Sequence, residues 1–101
     1  LRSSERKITV EEIQRKVSEH YNIRLSDMTG PKRVRSYARP RQVAMYLSKN
    51  MTSRSLPEIG RRFGGRDHTT VMHGVKRIEE LKVQDGQIAE DLELLRRALE
   101  A

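Results

Sequence analysis

The chain has 101 residues, the length of one small domain, which excludes a second domain and a large internal cavity. Hydrophobic and charged residues each make up 35%, and 21 Lys and Arg against 14 Asp and Glu give a net charge of +7. This charge favours a polyanionic partner, either a nucleic acid or, less often, a membrane surface. Cysteine is absent, which excludes disulfides and a thiol nucleophile. No signal-peptide core or membrane-spanning run is present, and we expect a module of a longer protein.

The positive charge is concentrated in the middle of the chain. Residues 28–66 carry 10 basic residues and one acidic residue, Glu58, whereas residues 79–101 carry 3 basic and 7 acidic residues. A surface that is only solvated mixes the two signs more evenly. The clustering therefore indicates a nucleic-acid face, although charge alone leaves open a basic surface without a partner.

The spacing of apolar residues predicts helices and no strand. Capping boxes are expected at Thr9–Glu12 and Ser55–Glu58, and Asp67 can cap a third helix. The basic segment 32–39 is expected to be a loop, because Pro40 suits the first position of a helix. The five main helices and one short helical turn are expected at 10–21, 25–28 (the turn), 40–51, between Ser55 and Gly64, at 68–83, and around Ile88, Leu92, Leu95 and Leu99.

The segment 55–78 has the pattern of a helix-turn-helix motif. A short capped helix, a Gly64-Gly65 turn and a longer amphipathic helix follow one another. On the longer helix, Thr69, His73 and Lys76 lie opposite an apolar stripe of Val71, Val75 and Ile78, with Asp67 and His68 at its tip. Short or flat polar side chains can approach base edges closely. The alternative is a capping aspartate followed by an ordinary polar surface.

Three sequence blocks resemble the family of the bacterial chromosomal replication initiator DnaA. They are Gly64–His73 (GGRDHTTVMH), Ser36–Gln42 (SYARPRQ) and Ser55–Gly60 (SLPEIG), in the order and spacing of that family. The resemblance covers about residues 8–100 and is to the C-terminal DNA-binding domain (domain IV). The chain departs from the signature at Gly74, where the family carries Ala or Ser.

The resemblance implies an all-α, Trp-repressor-like fold of five to six helices around a helix-turn-helix. Residues 1–8 would be a linker tail and 9–101 the DNA-binding domain. The implied target is the DnaA box, a short asymmetric duplex site at the replication origin. The implied base contacts are Arg33 in the minor groove, Leu56 and Pro57 at thymine methyl groups, and Asp67, His68 and Thr69 in the major groove. The implied phosphate contacts are Arg35, Arg41, Gln42, Lys49, Thr52 and Thr70.

Other functions are less well supported by the residues. No nucleophile–base pair is visible, and His68 and His73 are not spaced as metal ligands, so we expect neither an enzyme nor a metal site. The resemblance places ATP in an upstream ATPase module, and no cofactor is expected in this domain. We expect a monomeric domain that binds double-stranded DNA in the cytoplasm, at the nucleoid. A helix-turn-helix transcriptional regulator, a basic membrane-surface module and an interaction domain using the acidic last helix remain alternatives.

Overall fold

The computed structural model describes residues 7–32 and 34–101, and in this part of the chain all regular structure is helical. This confirms the all-α fold of five to six helices. The expected tail, residues 1–8, lies mostly outside the described residues. The helices are α1 (Val10–Tyr21), α2 (Leu25–Thr29), α3 (Arg35–Met51), α4 (Leu56–Arg62), α5 (His68–Gln84) and α6 (Gly86–Glu100).

The helix starts follow the capping residues of the sequence. Thr9 accepts a hydrogen bond from the Glu12 amide at 3.1 Å while its own amide donates to the Glu12 carboxylate, which completes the predicted capping box of α1. Of the two hydrogen bonds of the capping box predicted at Ser55, one is present. Ser55 Oγ accepts from the Glu58 amide, but the Glu58 carboxylate binds Arg54 Nη1 at 2.8 Å instead. One oxygen cap is enough to satisfy an orphan amide at the start of α4.

The start of α3 corrects the expectation of a loop over residues 32–39. The helix begins at Arg35, and Pro40 is its sixth residue rather than its first. Proline removes only one helical hydrogen bond here, the one that the Ser36 carbonyl would accept. The additional turn brings the Tyr37 ring to 5.7 Å from the Arg41 guanidinium carbon, a cation–π contact that favours the helical start.

Helix α3 is the central element, and α1, α4, α5 and α6 pack around it. Its buried stripe includes Val43, Ala44 and Leu47. The other helices contribute further buried residues to one core, among them Ile13, Val17, Met28, Ile59, Phe63, Val71, Ile78, Leu95 and Leu99. Burial of each large side chain stabilises the fold by about 1.5–3 kcal/mol. The core thereby fixes α5 against α3 with the polar face of α5 directed outwards.

Gly74 lies where α5 crosses α3 and is buried. A Cβ at this position would be 3.3 Å from Met45 Sδ and 3.4 Å from Gln42 Cγ, both on α3. Glycine in a helix interior costs up to about 1 kcal/mol relative to alanine. An alanine here would require Met45 Sδ to move by only a few tenths of an ångström, so the close approach of the two helices favours a small residue at this position of the signature.

Candidate nucleic-acid interface

The turn between α4 and α5 depends on glycine. Gly64 and Gly65 have φ angles of +79° and +76°, which favour a residue without Cβ. A Cβ on Gly64 would be 2.1 Å from the Thr29 carbonyl oxygen, so the turn is pressed against the end of α2. A Cβ on Gly60 would be equally close to the Arg66 carbonyl oxygen. Helices α4 and α5 are therefore joined by a tight helix-turn-helix connection, as predicted.

The N-terminus of α5 has an ionised, exposed cap. Asp67 Oδ2 accepts hydrogen bonds from the Thr69 amide at 3.1 Å and from the Thr69 hydroxyl. These two bonds hold the pKa of the Asp67 carboxyl below its ordinary value. An ionised carboxylate only accepts hydrogen bonds, and a cytosine amino group is a matching donor in the major groove. The cap of α5 can thus also present an acceptor to a base edge.

The polar face of α5 is arranged as its periodicity predicts. Val71 and Ile78 are buried, whereas His73 and Lys76 are exposed and Thr69 is half-buried. Thr70 is also exposed, next to this face. Because the Thr69 hydroxyl is bound to Asp67, its methyl group is the part best placed to contact a ligand. Close approach of this face to a base edge is sterically possible.

A cleft of about 730 Å³ lies between the first half of α3 and the start of α5. Its walls bring four of the predicted contacts together, namely Arg41, Gln42, Asp67 and Thr70. Four other predicted contacts lie outside these walls, at the junction of α3 and α4. They are Lys49 near the end of α3, Thr52 at its C-cap, and Leu56 and Pro57 at the start of α4. Leu56 is half-buried and Pro57 is exposed.

Arg41 has a different environment from the one expected of a phosphate contact. The residue is 6% exposed, and its guanidinium donates to the carbonyls of Asp27 (2.9 Å), Lys32 (2.6 Å) and Gly30 (3.2 Å). Burial lowers the pKa of this guanidinium, and the Asp27 carboxylate opposes that shift. The phosphate contact at Arg41 stays a prediction, but we leave this residue out of the interface proposed below.

Several of the remaining basic residues are available to a ligand. Arg54 and Arg62 are paired with Glu58, and Arg62 also binds Glu11 at 2.8 Å. Within the described part of the basic stretch 28–66, four exposed cations take part in none of the salt bridges found. These are Lys32, Arg35, Lys49 and Arg61. The charge that this stretch offers to a ligand is therefore smaller than its sequence count suggests, and it lies on α3, on α4 and on the segment before α3.

Lys32 and Arg61 did not emerge from the sequence motifs as contacts. Both are exposed cations within the basic stretch, and their charge was the only signal that could have indicated them. Of the predicted base contacts, His68 is exposed at the tip of α5, with its Nδ1 3.7 Å from Asp67 Oδ1. Arg33 lies outside the described residues, so its minor-groove contact stays a prediction.

The described residues contain neither a metal-binding cluster nor a membrane-spanning helix. No group of three or more His, Asp or Glu side chains there could hold a metal ion. None of the six helices is both long enough and apolar enough to cross a bilayer.

A short capped helix, a glycine turn and a longer helix with an outward polar face beside a basic surface define a helix-turn-helix DNA-binding domain. The chain belongs to the bacterial DnaA protein helix-turn-helix family, whose model matches residues 10–78. The matched family is the DNA-binding helix-turn-helix and not an ATPase module.

Similar proteins carry the name chromosomal replication initiator protein DnaA. The chain is 94% identical over 100 residues to that of Roseobacter denitrificans, covering 99% of the chain and 22% of the relative. It is 87% identical to that of Ruegeria pomeroyi, covering 100% of the chain and 22% of the relative. It is 56% identical to that of Zymomonas mobilis, covering 99% and 21%. The chain thus spans about one fifth of the length of the curated relatives that it matches.

Proposed function

We propose that this domain is the sequence-specific DNA-recognition module of a replication initiator and that it binds DnaA boxes in duplex DNA at the replication origin. The observation that carries the proposal is the joint placement of the polar start of α5 and the first half of α3 around one cleft. An α-helix fits the major groove with its N-terminal residues at the base edges. A basic segment beside it can then reach the adjacent minor groove.

The roles in the major groove follow from side-chain chemistry. Asp67 would accept from a cytosine amino group, the Thr69 methyl would contact a thymine methyl, and His68 would donate to a purine acceptor. Leu56 and Pro57, both at the start of α4, would contact further thymine methyl groups. The identities of the contacted bases rest on the resemblance to the DnaA family.

The α2–α3 connection, residues 30–34, would supply the minor-groove contact through Arg33. Phosphates would be held by exposed or half-buried polar and basic groups that flank the two base-reading elements. We assign this role to Lys32, Arg35, Gln42, Lys49, Thr52, Arg61 and Thr70. Such contacts fix the register of a protein on the duplex and carry no sequence information themselves.

The wider setting follows from the family. ATP would bind to a separate ATPase module of the whole initiator, and this domain would act as a monomeric reader of DNA in the bacterial cytoplasm. No cofactor is needed for the reading step, because direct readout uses only hydrogen bonds and apolar contacts to base edges.

The test is a selection of bound sites from a random duplex library, followed by a salt titration. The most enriched sequence is called the selected duplex below. The four exposed, unpaired cations of the basic stretch and Arg33 would release counterions from about five phosphates, so log K should fall against log[salt] with a slope of about −4.5. Failure to enrich any sequence, a slope near −1, or equal binding to anionic vesicles would contradict the proposal.

A further inference from the structure

Two arginines meet at one backbone oxygen between the two proposed DNA-reading elements. The Gly30 carbonyl accepts from Arg66 Nη2 at 2.8 Å and from Arg41 Nη2 at 3.2 Å. Arg66 belongs to the turn before α5, whereas Arg41 belongs to α3. Gly30 itself begins the α2–α3 connection. One carbonyl thus links the connection to the helix-turn-helix and to the central helix.

The guanidinium of Arg66 donates hydrogen bonds to two backbone carbonyls of the protein. Its Nη1 donates to the Phe63 carbonyl, the last residue before the glycine turn, and its Nη2 reaches across to Gly30. The fork of an arginine can hold two acceptors in a fixed geometry, which a lysine ammonium cannot reproduce. The side chain is half-buried. Arg66 is therefore built to connect two segments of backbone.

The packing around this contact is tight. Gly64 lies directly against the Thr29 carbonyl, where a Cβ would be 2.1 Å from the oxygen. Arg41 also binds Lys32, the residue immediately before Arg33 in the sequence. The backbone on both sides of the Arg66–Gly30 contact is thereby held in place. Any change in the distance between the connection and α5 has to break this contact.

We propose that Arg66 is a positioning residue, whose hydrogen bond to the Gly30 carbonyl sets the distance along the duplex between the base pairs read by the α2–α3 connection and those read by α5. The proposal rests on the proposed function. It assigns Arg66 to specificity although the side chain contacts no base. The basis is that two DNA-reading elements held rigidly together can contact their base pairs at the same time only when those base pairs are one fixed distance apart along the duplex.

The experiment replaces Arg66 by lysine, which keeps the charge and loses the fork. Affinity of R66K for the selected duplex should fall about tenfold, and affinity for random duplex should stay within about twofold. Arg15→Lys is the matched control, because Arg15 is an exposed arginine of α1 outside the proposed interface, and it should leave both affinities unchanged. Circular dichroism gives the folded fraction used to correct each value.

A double-mutant cycle with Arg33→Ala tests whether Arg66 affects DNA binding through the α2–α3 connection. If Arg66 acts through the α2–α3 connection, R66K should add less than about twofold to the loss caused by R33A on the selected duplex. A second selection with R66K should lose preference at the base pairs that R33A also affects, and keep it at those that Thr69→Ala affects. Independent, multiplicative losses would overturn the proposal.

A direct phosphate contact by Arg66 gives a different result. R66K would then retain most of the affinity, whereas Arg66→Met would weaken selected and random duplex alike and flatten the salt slope by about one unit. Failure of the unmodified chain to enrich any sequence would contradict the proposed function itself, which separates the two failures.

A measurement on the unmodified chain remains decisive where R66K does not fold. The Arg66 guanidinium protons should be protected from solvent exchange in the free chain and stay bound to the Gly30 carbonyl with the selected duplex present, as seen by NMR. Transfer of these protons to a phosphate on DNA binding would overturn the positioning role.

Discussion

Two aspartates, one buried and one exposed, show how the same chemical group stabilises the fold in one place and is presented at the surface in another. Asp91 of α6 is 5% exposed and accepts from three side chains: His20 Nε2 at 2.9 Å, the Tyr21 hydroxyl at 2.9 Å and Gln87 Nε2 at 3.0 Å. Asp67 at the start of α5 is exposed and accepts from the amide and the hydroxyl of Thr69.

Both carboxyl groups have lowered pKa values, for different reasons. Burial alone would raise the pKa of Asp91, but the hydrogen bonds from His20, Gln87 and Tyr21 outweigh it. The pKa of Asp67 is lowered by the hydroxyl and the amide of Thr69. Only Asp67 has lone pairs directed towards solvent, so a lowered pKa does not by itself identify a binding residue here. Exposure distinguishes the aspartate of the proposed interface, Asp67, from the aspartate that joins α6 to α1, Asp91.

The largest expected effect on stability is at the glycine turn, which precedes the proposed reading helix α5. Gly64→Ala would force a Cβ against the Thr29 carbonyl at a left-handed φ, and we expect a loss of at least about 3 kcal/mol in the free energy of unfolding. Urea unfolding followed by circular dichroism measures the loss.

Gly65→Ala is the matched control for this substitution. Gly65 has nearly the same φ, but a Cβ there would meet no atom of the described residues within 4 Å. Its replacement should therefore cost only the left-handed backbone penalty, about 1–2 kcal/mol. Equal losses at the two glycines would show that the contact with α2 does not constrain the turn.

The next largest effect on stability is expected at Asp91, where α6 contacts α1. Asp91→Asn keeps the shape of the side chain and removes the charge that three donors share. Hydrogen bonds to a charged group contribute about 1.5–3 kcal/mol, and we expect a loss of that size in unfolding free energy at pH 7. DNA binding by the folded variant should be unchanged, because Asp91 is not among the residues of the interface.

The pH dependence of that loss has a defined sign. Because the pKa of Asp91 is lower in the folded than in the unfolded chain, its stabilisation is fully present above the unfolded value, about 4, and is lost as the pH falls through the folded value. The difference in unfolding free energy between the unmodified chain and Asp91→Asn should therefore become smaller as the pH falls from 5 to 2. A difference that is constant with pH would contradict the assignment of the charge.

A smaller effect, on binding alone, is expected at Thr69. Thr69→Ala should cost about 1–3 kcal/mol on the selected duplex and almost nothing on random duplex, since phosphate contacts supply most of the non-specific affinity. The melting temperature should stay close to that of the unmodified chain, because Val71 and Ile78 carry the packing. Fluorescence anisotropy with both duplexes measures the difference.

Two further variants separate the parts of this effect. Thr69→Ser keeps the hydroxyl that binds Asp67 and deletes the methyl group, so a loss equal to that of alanine assigns the readout to the methyl. Lys49→Ala, as a phosphate contact, should weaken both duplexes equally. Parallel losses on both duplexes in Thr69→Ala would mean that the tip of α5 does not read sequence.

Local signals in the sequence predicted much of the fold and part of the interface. The bounds of α1 agree with the prediction residue for residue, because a capping box and a regular apolar stripe fix both ends. The polar face of α5 was predicted for the same reason. The predicted start of α3 was wrong. The preference of proline for the first position of a helix takes no account of the cation–π contact between Tyr37 and Arg41, which stabilises the turn before Pro40.

Contacts between distant residues were not predictable. His20 and Tyr21 are separated from Asp91 by 71 and 70 positions, and Arg66 from Gly30 by 36. Arg41 has the charge of a phosphate contact, and only the three carbonyls around it show that it is used inside the protein. Helical periodicity describes neighbours along one helix and contains no information on such partners.

The smallest effect is expected from two buried serines that differ in one respect. Ser48 on α3 is fully buried, and its hydroxyl has no hydrogen-bond partner among residues 7–32 and 34–101. The buried Ser18 on α1, in contrast, donates to the Gln14 carbonyl at 2.7 Å. Ser48→Ala should stabilise the fold by about 0.5–1 kcal/mol, because it removes an unsatisfied buried hydroxyl and raises helix propensity. Ser18→Ala gains the same propensity but loses a hydrogen bond worth about 0.5–1.5 kcal/mol, so its effect should be neutral or destabilising. Thermal unfolding of both variants measures the difference, and a destabilised Ser48→Ala would show that its hydroxyl has a partner in solution.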